Sequence, residues 1–126
     1  RKIQIIFVAN RNLETQKSIF IKTIRVDSGT DVADNKIIDL VENNDLVITA
    51  DIPLAHSVIQ KGAFAINPRG ELYTQENIKS CLSIRNALTE LREHGIETGG
   101  PKPFNKKDQQ AFANQLDRFI TRYLNQ

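Results

Sequence analysis

The chain has 126 residues, a length typical of one domain with its own hydrophobic core. Hydrophobic residues make up 40% of it and charged residues 25%, a globular composition that excludes a wholly disordered chain. The formal net charge of +2 is too small to indicate nucleic-acid binding, so any contact with a polyanion must come from locally clustered cations.

The single cysteine, Cys81, excludes an internal disulfide and is typical of a reducing compartment. It lies among apolar residues of a predicted helix, so we expect a buried thiol and not a nucleophile. No apolar run reaches the roughly 18 residues that a membrane span needs, and no signal-peptide pattern is present. The sequence therefore predicts a cytoplasmic protein that does not enter a membrane.

The first half of the chain alternates predicted strands and helices. Residues 3–9, IQIIFVA, are an almost unbroken apolar run that predicts a strand buried on both faces. Residues 22–27, KTIRVD, alternate and predict an edge or half-buried strand. Residues 32–43 form a predicted helix, because its apolar residues recur at i, i+4, i+7 and i+8. Residues 46–50, LVITA, predict a short core strand.

The middle of the chain continues this alternation. Pro53 lies just inside the next predicted helix, which continues to Lys61 and ends at Gly62. Residues 63–66, AFAI, predict another short strand, and residues 67–70, NPRG, predict a turn after it.

From Thr74 onward the sequence predicts helices without strands. Thr74 is a predicted N-cap, with Asn77 at the third helical position. Residues 95–104 contain three glycines and two prolines and are therefore a predicted loop. Asn105 is the predicted N-cap of a last helix.

Strands that alternate with helices of this length predict an α/β fold. We expect a mainly parallel sheet with helices on both faces, followed by two C-terminal helices. In open parallel sheets, ligands bind at the carboxyl ends of the strands. Asn10, Asp27 and Asp51 each follow a predicted strand directly. This position is the reason to consider the acids as functional residues.

Two interpretations of the acids remain open at this point. Asp31 and Asp34 lie on one side of a predicted first helical turn, and Asp51 precedes the next helix. As helix caps, they would satisfy orphan N–H groups and the helix dipole. As metal ligands, they would converge on a hard cation such as Mg²⁺, which supports phosphodiester hydrolysis. Asn35 and Asp27 are candidates for further support.

Two predicted loops combine hydrogen-bond donors with cations. Asn10 and Arg11 follow the first strand, and residues 101–107 read PKPFNKK. Contacts with a phosphate backbone need donors and cations of this kind. The alternative interpretation is a solvated basic loop followed by an ordinary helix start.

Six segments distributed along the chain resemble one protein family. In order they are VAN, IRV, SGTDVADNKII, DLVITADIPLA, KGAFAINPRGELY and TGGPKPFNKKDQQAF. Together they resemble the YaiI/YqxD family of uncharacterised bacterial proteins over nearly the whole chain. That family is similar to PIN-type nuclease domains, which are α/β folds that cleave RNA or DNA with Mg²⁺ or Mn²⁺.

Two short motifs carry the similarity to PIN-type domains. Those domains have a helix-borne acid in a D-x-x-I pattern, followed by T-x-D at a strand end. Residues 34–37, DNKI, and residues 49–51, TAD, look like these motifs. The resemblance implies a Mg- or Mn-dependent nuclease acting on RNA, an endoribonuclease. The implied catalytic residues are Asp34 and Asp51, the implied metal ligands are Asp31, Asp34 and Asp51, and the implied substrate contacts are Asn10, Arg11 and Thr49.

The alternative function is a non-catalytic module that binds nucleic acid or a protein partner on the same face.

The resemblance also concerns the beginning of the chain. The family normally starts with a strand that ends in an Asp-rich D-A-D-A-C-P segment, followed by a helix, and PIN-type domains place their first acid there. The sequence opens after that segment, so we expect residues 1–126 to form a single PIN-like domain without that first strand and helix.

Overall fold

The computed structural model describes residues 5–9, 21–29, 31–100 and 102–124. These residues form a mixed α/β structure with four α-helices and two small sheets. The predicted α/β class is therefore confirmed. The chain divides into two compact units, Arg1–Leu40 and Val41–Gln126.

The first unit contains a parallel pair of strands and one helix. Strand β1, Ile5–Ala9, pairs with strand β2, Ile21–Arg25, over their whole length. Helix α1 follows at Val32–Leu40 and packs against β1. Both strands and the helix were predicted, and the parallel pairing agrees with the expected arrangement.

The predicted burial of β1 on both faces is wrong. The side chains of Ile6 and Phe7 are 42% and 40% exposed. Among the described strands, β1 has β2 as its hydrogen-bonded neighbour, and a two-stranded sheet leaves much of its side-chain surface uncovered. An apolar run indicates a strand, but its burial depends on neighbours that the run itself does not specify.

Helix α1 ends at Leu40, earlier than the predicted end at Asn43. Beyond it, the N–H of Glu42 donates to a carboxylate oxygen of Asp45 at 2.9 Å, outside the helical pattern. Asn44 adopts a left-handed φ of 72°, which an α-helix does not accommodate. Local side-chain bonding of this kind competes with helix continuation.

The second unit is built on a three-stranded sheet. Strand β3, Leu46–Ile48, pairs in parallel with strand β4, Phe64–Ile66. Strand β5, Leu72–Tyr73, pairs antiparallel with β4. The sequence predicted β3 and β4 but not β5, because a two-residue strand is too short to show any periodicity.

Three helices accompany this sheet. Helix α2, Ile52–Gln60, connects β3 to β4 and packs on both β4 and helix α3, Gln75–Glu93. Helix α4, Lys106–Phe119, contacts β4 and continues as π-helical turns over Ile120–Leu124. No helix among the described residues is both long and apolar enough to cross a membrane.

The core of the second unit lies between the sheet and these helices. Val58 on α2 and Ile66 on β4 are fully buried, and Ile78 of α3 is 2% exposed. The rings of Phe64 and Phe119 meet edge to face, with their centroids 5.0 Å apart. Burying a side chain of this size contributes about 1.5–3 kcal/mol, so these contacts fix α2, α3 and α4 on the sheet.

Cys81 lies on α3 as a free thiol and is half-buried. The prediction of a buried thiol is therefore met only in part. Its helical position is as predicted.

Candidate functional site

The segment after β3 holds the Asp51 side chain in a defined position. The N–H of Thr49 donates to the Ile66 carbonyl at 3.1 Å, which continues the pairing of β3 with β4. The hydroxyl oxygen of Thr49 accepts from the N–H of Asp51 at 3.0 Å. Oδ1 of Asp51 in turn accepts from the N–H of Leu54 at 2.8 Å, in the first turn of α2. Asp51 is thus the N-cap of α2, and the capping interpretation is confirmed for this residue.

Capping engages one oxygen of the Asp51 carboxylate. Oδ2 accepts no hydrogen bond from the described residues, and Asp51 is exposed. This oxygen lies just beyond the carboxyl end of a parallel strand, where sheets of this type bind ligands. Capping and cation binding are therefore compatible at Asp51, because they use different oxygens of one carboxylate.

The acids before and within α1 have different environments. Asp31 has a φ of 66°, and its carbonyl accepts from the N–H of Asn35 at 2.9 Å. Its side chain is exposed and accepts no hydrogen bond from the described residues. Asp31 therefore does not cap α1 with its carboxylate, since an N-cap residue has extended backbone and a bonded side chain. Asp34 lies in the first helical turn and is half-buried.

The candidate metal ligands are divided between the two units. Asp31 and Asp34 belong to Arg1–Leu40, and Thr49 and Asp51 belong to Val41–Gln126. Within each unit, the described residues include no group of three His, Cys, Asp or Glu side chains able to share a metal ion. Convergence of the three acids on one cation stays a prediction.

The two candidate phosphate contacts of the first loop, Asn10 and Arg11, lie outside the described residues. Asp27 lies within them, two residues beyond the end of β2, and is exposed.

A second arrangement of polar residues surrounds the turn after β4. Asn67 is 9% exposed, and its Oδ1 accepts from the N–H groups of Arg69 and Glu71 at 2.9 and 3.0 Å. Its Nδ2 donates to the hydroxyl of Tyr73 at 3.3 Å. Burial of the phenol raises the pKa of Tyr73, the hydrogen bond from Asn67 lowers it, and nearby Glu71 and Cys81 raise it, with a net increase above 10.0. The buried amide fixes the conformation of the turn.

Gly70 brings this turn against α4. Its φ is +94°, a left-handed conformation that favours glycine. A Cβ at this position would lie 2.6 Å from the carbonyl carbon and oxygen of Ala111. The backbones of the turn and the helix are therefore in direct contact, and no side chain fits between them.

Arg69 connects the same turn to the start of α4. Its Nη1 donates to Oδ2 of Asp108 at 2.8 Å, and its Nη2 donates to the carbonyl of Lys102. Its Cζ lies 5.9 Å from the centroid of the Phe104 ring. One guanidinium thus contacts an acid, a backbone carbonyl and an aromatic ring. Sequence reasoning did not single out Arg69; the available signal was its place in the KGAFAINPRGELY segment.

Residues 102–107, KPFNKK, which we call the basic loop, include the first two residues of α4. The Phe104 side chain is 55% exposed. The three lysines of the basic loop are also exposed, and none of them forms an ion pair with a described residue. Those three lysines are Lys102, Lys106 and Lys107.

Comparison with known proteins identifies the family. A family model described as "Uncharacterized BCR, YaiI/YqxD family" matches residues 1–122. The chain belongs to the YaiI/YqxD family. The resemblance seen in the sequence is thereby confirmed. The description assigns no activity to the family.

Several relatives of this YaiI/YqxD protein carry the name UPF0178 protein. The one from Hydrogenovibrio crunogenus is 54% identical over 125 residues, which cover 99% of this chain and 83% of the relative. The one from Shewanella amazonensis is 57% identical over 122 residues, covering 97% and 82%. The one from Maridesulfovibrio salexigens is 54% identical over 125 residues, covering 99% and 83%. No solved structure matches the chain.

Proposed function

We propose that this YaiI/YqxD protein is a Mg²⁺- or Mn²⁺-dependent nuclease that acts on RNA phosphodiesters. The observation that carries the proposal is the geometry of Asp51. Its backbone N–H and one carboxylate oxygen are held by Thr49 and Leu54, while the second oxygen of this exposed residue accepts no hydrogen bond from the described residues. In the proposal, Asp51 and Asp34 are the metal ligands and Asp31 supports them.

The donor atoms suit a hard cation. Mg²⁺ takes a few carboxylate oxygens and completes its octahedron with waters and substrate phosphates. When bound, the cation would polarise a water molecule and neutralise charge on the phosphodiester. Asp51 would contribute Oδ2, and the carboxylate that carries it is already positioned, because Thr49 accepts from the Asp51 N–H and the Leu54 N–H donates to Oδ1. Carboxylates brought together without a cation would repel one another, so the proposed convergence of Asp34 and Asp51 requires a bound cation.

The second candidate function is a module that binds single-stranded RNA without cleaving it. The cap on α2 accounts for Asp51 without any metal. The basic loop, with an exposed Phe104 between exposed lysines, favours nucleic-acid binding whether or not cleavage occurs. The two functions differ in their dependence on Asp34 and Asp51.

A cleavage assay on labelled single-stranded RNA with Mn²⁺ or Mg²⁺ decides between them. We expect metal-dependent cleavage by the full-length parent protein and none by its Asp51→Asn or Asp34→Asn variants. Asn caps a helix about as well as Asp, so Asp51→Asn removes the charged ligand and keeps the fold. Asp117→Asn is the matched control, because Asp117 is an exposed acid on α4. If the parent cleaves nothing with either metal, or Asp51→Asn cleaves as well as the parent, the nuclease proposal fails.

A further inference from the structure

We infer that the basic loop is a binding site for single-stranded RNA, in which Phe104 stacks on a base and the lysines contact phosphates. The inference deepens the proposed function, because it names the surface that recognises the substrate. Binding at this surface requires neither the metal nor cleavage, so the two proposals are tested separately.

Phe104 is a large apolar side chain at an exposed position. The ring is 55% exposed and contributes little to the core. It is nevertheless held in place, because the guanidinium of Arg69 lies 5.9 Å from its centroid. An exposed aromatic ring held by a cation is the kind of platform on which proteins stack unpaired bases.

The residues around the Phe104 ring carry positive charge. Lys102, Lys106 and Lys107 are exposed and form no ion pair with a described residue. Asp108, the acid that directly follows the basic loop, is already paired with Arg69 at 2.8 Å. The loop therefore carries uncompensated positive charge on both sides of Phe104. The whole chain has a net charge of only +2, so this charge is a local feature and not a general property.

The combination favours a single-stranded nucleic acid over duplexes and acidic peptides. Bases within a duplex are already stacked and paired, so an aromatic platform selects unpaired strands. An acidic peptide would be attracted to the lysines, but it would gain nothing specific from Phe104. One aromatic ring with lysines on both sides matches one base with phosphates on both sides along a single strand.

Arg69 acts as a positioning residue for this site. Its contacts with the Asp108 carboxylate and the Lys102 carbonyl fix the two ends of the basic loop, and its guanidinium lies over the Phe104 ring. Gly70 places the turn that carries Arg69 directly against the α4 backbone. The basic loop is therefore attached to the turn after β4 before RNA binds, which lowers the ordering cost of binding.

The absence of tryptophan from the chain provides a direct test. Phe104→Trp places the single tryptophan of the variant at the proposed platform. In EDTA, we expect an oligouridine of about 12 nucleotides to quench its emission, since stacking brings a base onto the ring. Inorganic polyphosphate should bind through the lysines without comparable quenching. Equal quenching by polyphosphate, or tighter binding of polyglutamate than of the RNA, would overturn the inference.

Affinity measurements in EDTA with the labelled oligouridine complete the test. We expect Phe104→Ala to weaken binding about five-fold or more, and Phe104→Tyr to restore it. Lys106→Gln and Lys107→Gln should each flatten the plot of log affinity against log salt by about 0.7. The matched controls are Ile96→Ala, which removes another exposed apolar side chain of the same unit, and Lys79→Gln on α3. Neither control should change affinity.

Two results in these measurements would overturn the inference. One is unchanged affinity in Phe104→Ala, and the other is an equal loss in Ile96→Ala. Asp117→Asn, which changes an exposed acid on α4 outside both proposed sites, should bind RNA as well as the parent. RNA binding that depends on Phe104, without any cleavage, would reject the nuclease proposal and leave this inference intact. Cleavage by a protein whose RNA affinity does not depend on Phe104 would reject this inference and leave the nuclease proposal intact.

Discussion

Arg69 and Asp108 are 39 residues apart in the sequence, and Nη1 of Arg69 donates to Oδ2 of Asp108 at 2.8 Å. The same oxygen accepts from the N–H of Asn105 at 3.2 Å, as part of the capping box that begins α4. One carboxylate atom therefore joins the start of a helix to the turn after β4. Stability of the helix start and order of the turn are coupled through Asp108.

A double-mutant cycle measures this coupling. Arg69→Gln removes the guanidinium, and Asp108→Asn removes the charge while keeping an oxygen for the Asn105 N–H. We expect a coupling energy of about 1 kcal/mol in urea unfolding, because both side chains are partly exposed and the pair is screened. The coupling should decrease at about 1 M NaCl. The control is Arg85→Gln combined with Asp108→Asn, for which the two changes in unfolding free energy should add. If the changes for Arg69→Gln and Asp108→Asn also add, the prediction is contradicted.

Two glycines with left-handed backbone provide a matched test of the contact between the turn and α4. Gly70 and Gly99 have φ values of +94° and +71°, but a Cβ would meet Ala111 at 2.6 Å only at Gly70. We expect Gly99→Ala to cost about 1 kcal/mol from backbone strain alone. Gly70→Ala should cost roughly 1–3 kcal/mol more, because the helix backbone must move. Similar unfolding free energies for both variants would show that the turn tolerates a side chain.

The buried phenol of Tyr73 predicts a loss of stability at high pH. Because burial raises its folded-state pKa above the unfolded value of 10.0, the folded protein holds the proton more tightly than the unfolded chain. The stabilisation is complete below about pH 10 and decreases as the pH rises through the folded pKa. We expect Tyr73→Phe to be less stable than the parent near neutral pH, since Asn67 loses an acceptor, and to show a smaller decrease above pH 10.

The pKa of this phenol can be read directly. The chain contains two tyrosines, so Tyr123→Phe leaves Tyr73 as the single phenol for a spectrophotometric titration. A midpoint at or below 10.0 would contradict the assignment of burial as the dominant effect.

Features set by neighbouring residues in the sequence could be predicted. The caps at Thr74 and Asn105 were predicted correctly, because each depends on a hydrogen bond that spans three residues. Of the two interpretations open for the acids, capping is confirmed at Asp51, where Leu54 is the donor, and is wrong at Asp31, whose φ is 66°. Gly62, with a φ of +86°, follows α2 as predicted.

Features set by distant residues could not be predicted in this way. The contacts of Arg69 with the basic loop join segments more than thirty residues apart, and no local pattern encodes that pairing. The exposure of Ile6 and Phe7 depends on which elements cover β1, which the apolar run does not specify. The proposed convergence of Asp34 with Asp51 stays a prediction for the same reason, because neither short motif specifies which distant residue it meets.

The last prediction separates the structural role of Asp51 from its proposed metal role. In EDTA, Asp51→Ala should lose about 1 kcal/mol of stability with the α2 cap, whereas Asp51→Asn keeps the cap and loses almost nothing. If Asp34 and Asp51 face each other, Asp51→Asn and Asp34→Asn should even raise the melting temperature, because a repulsion between like charges is removed. Mn²⁺ at about ten times its dissociation constant should stabilise the parent by about 1.4 kcal/mol and leave both variants unchanged, while Asp117→Asn responds like the parent. A parent protein whose melting temperature does not respond to Mn²⁺, or an Asp51→Asn variant that responds fully, would leave Asp51 with its capping role alone.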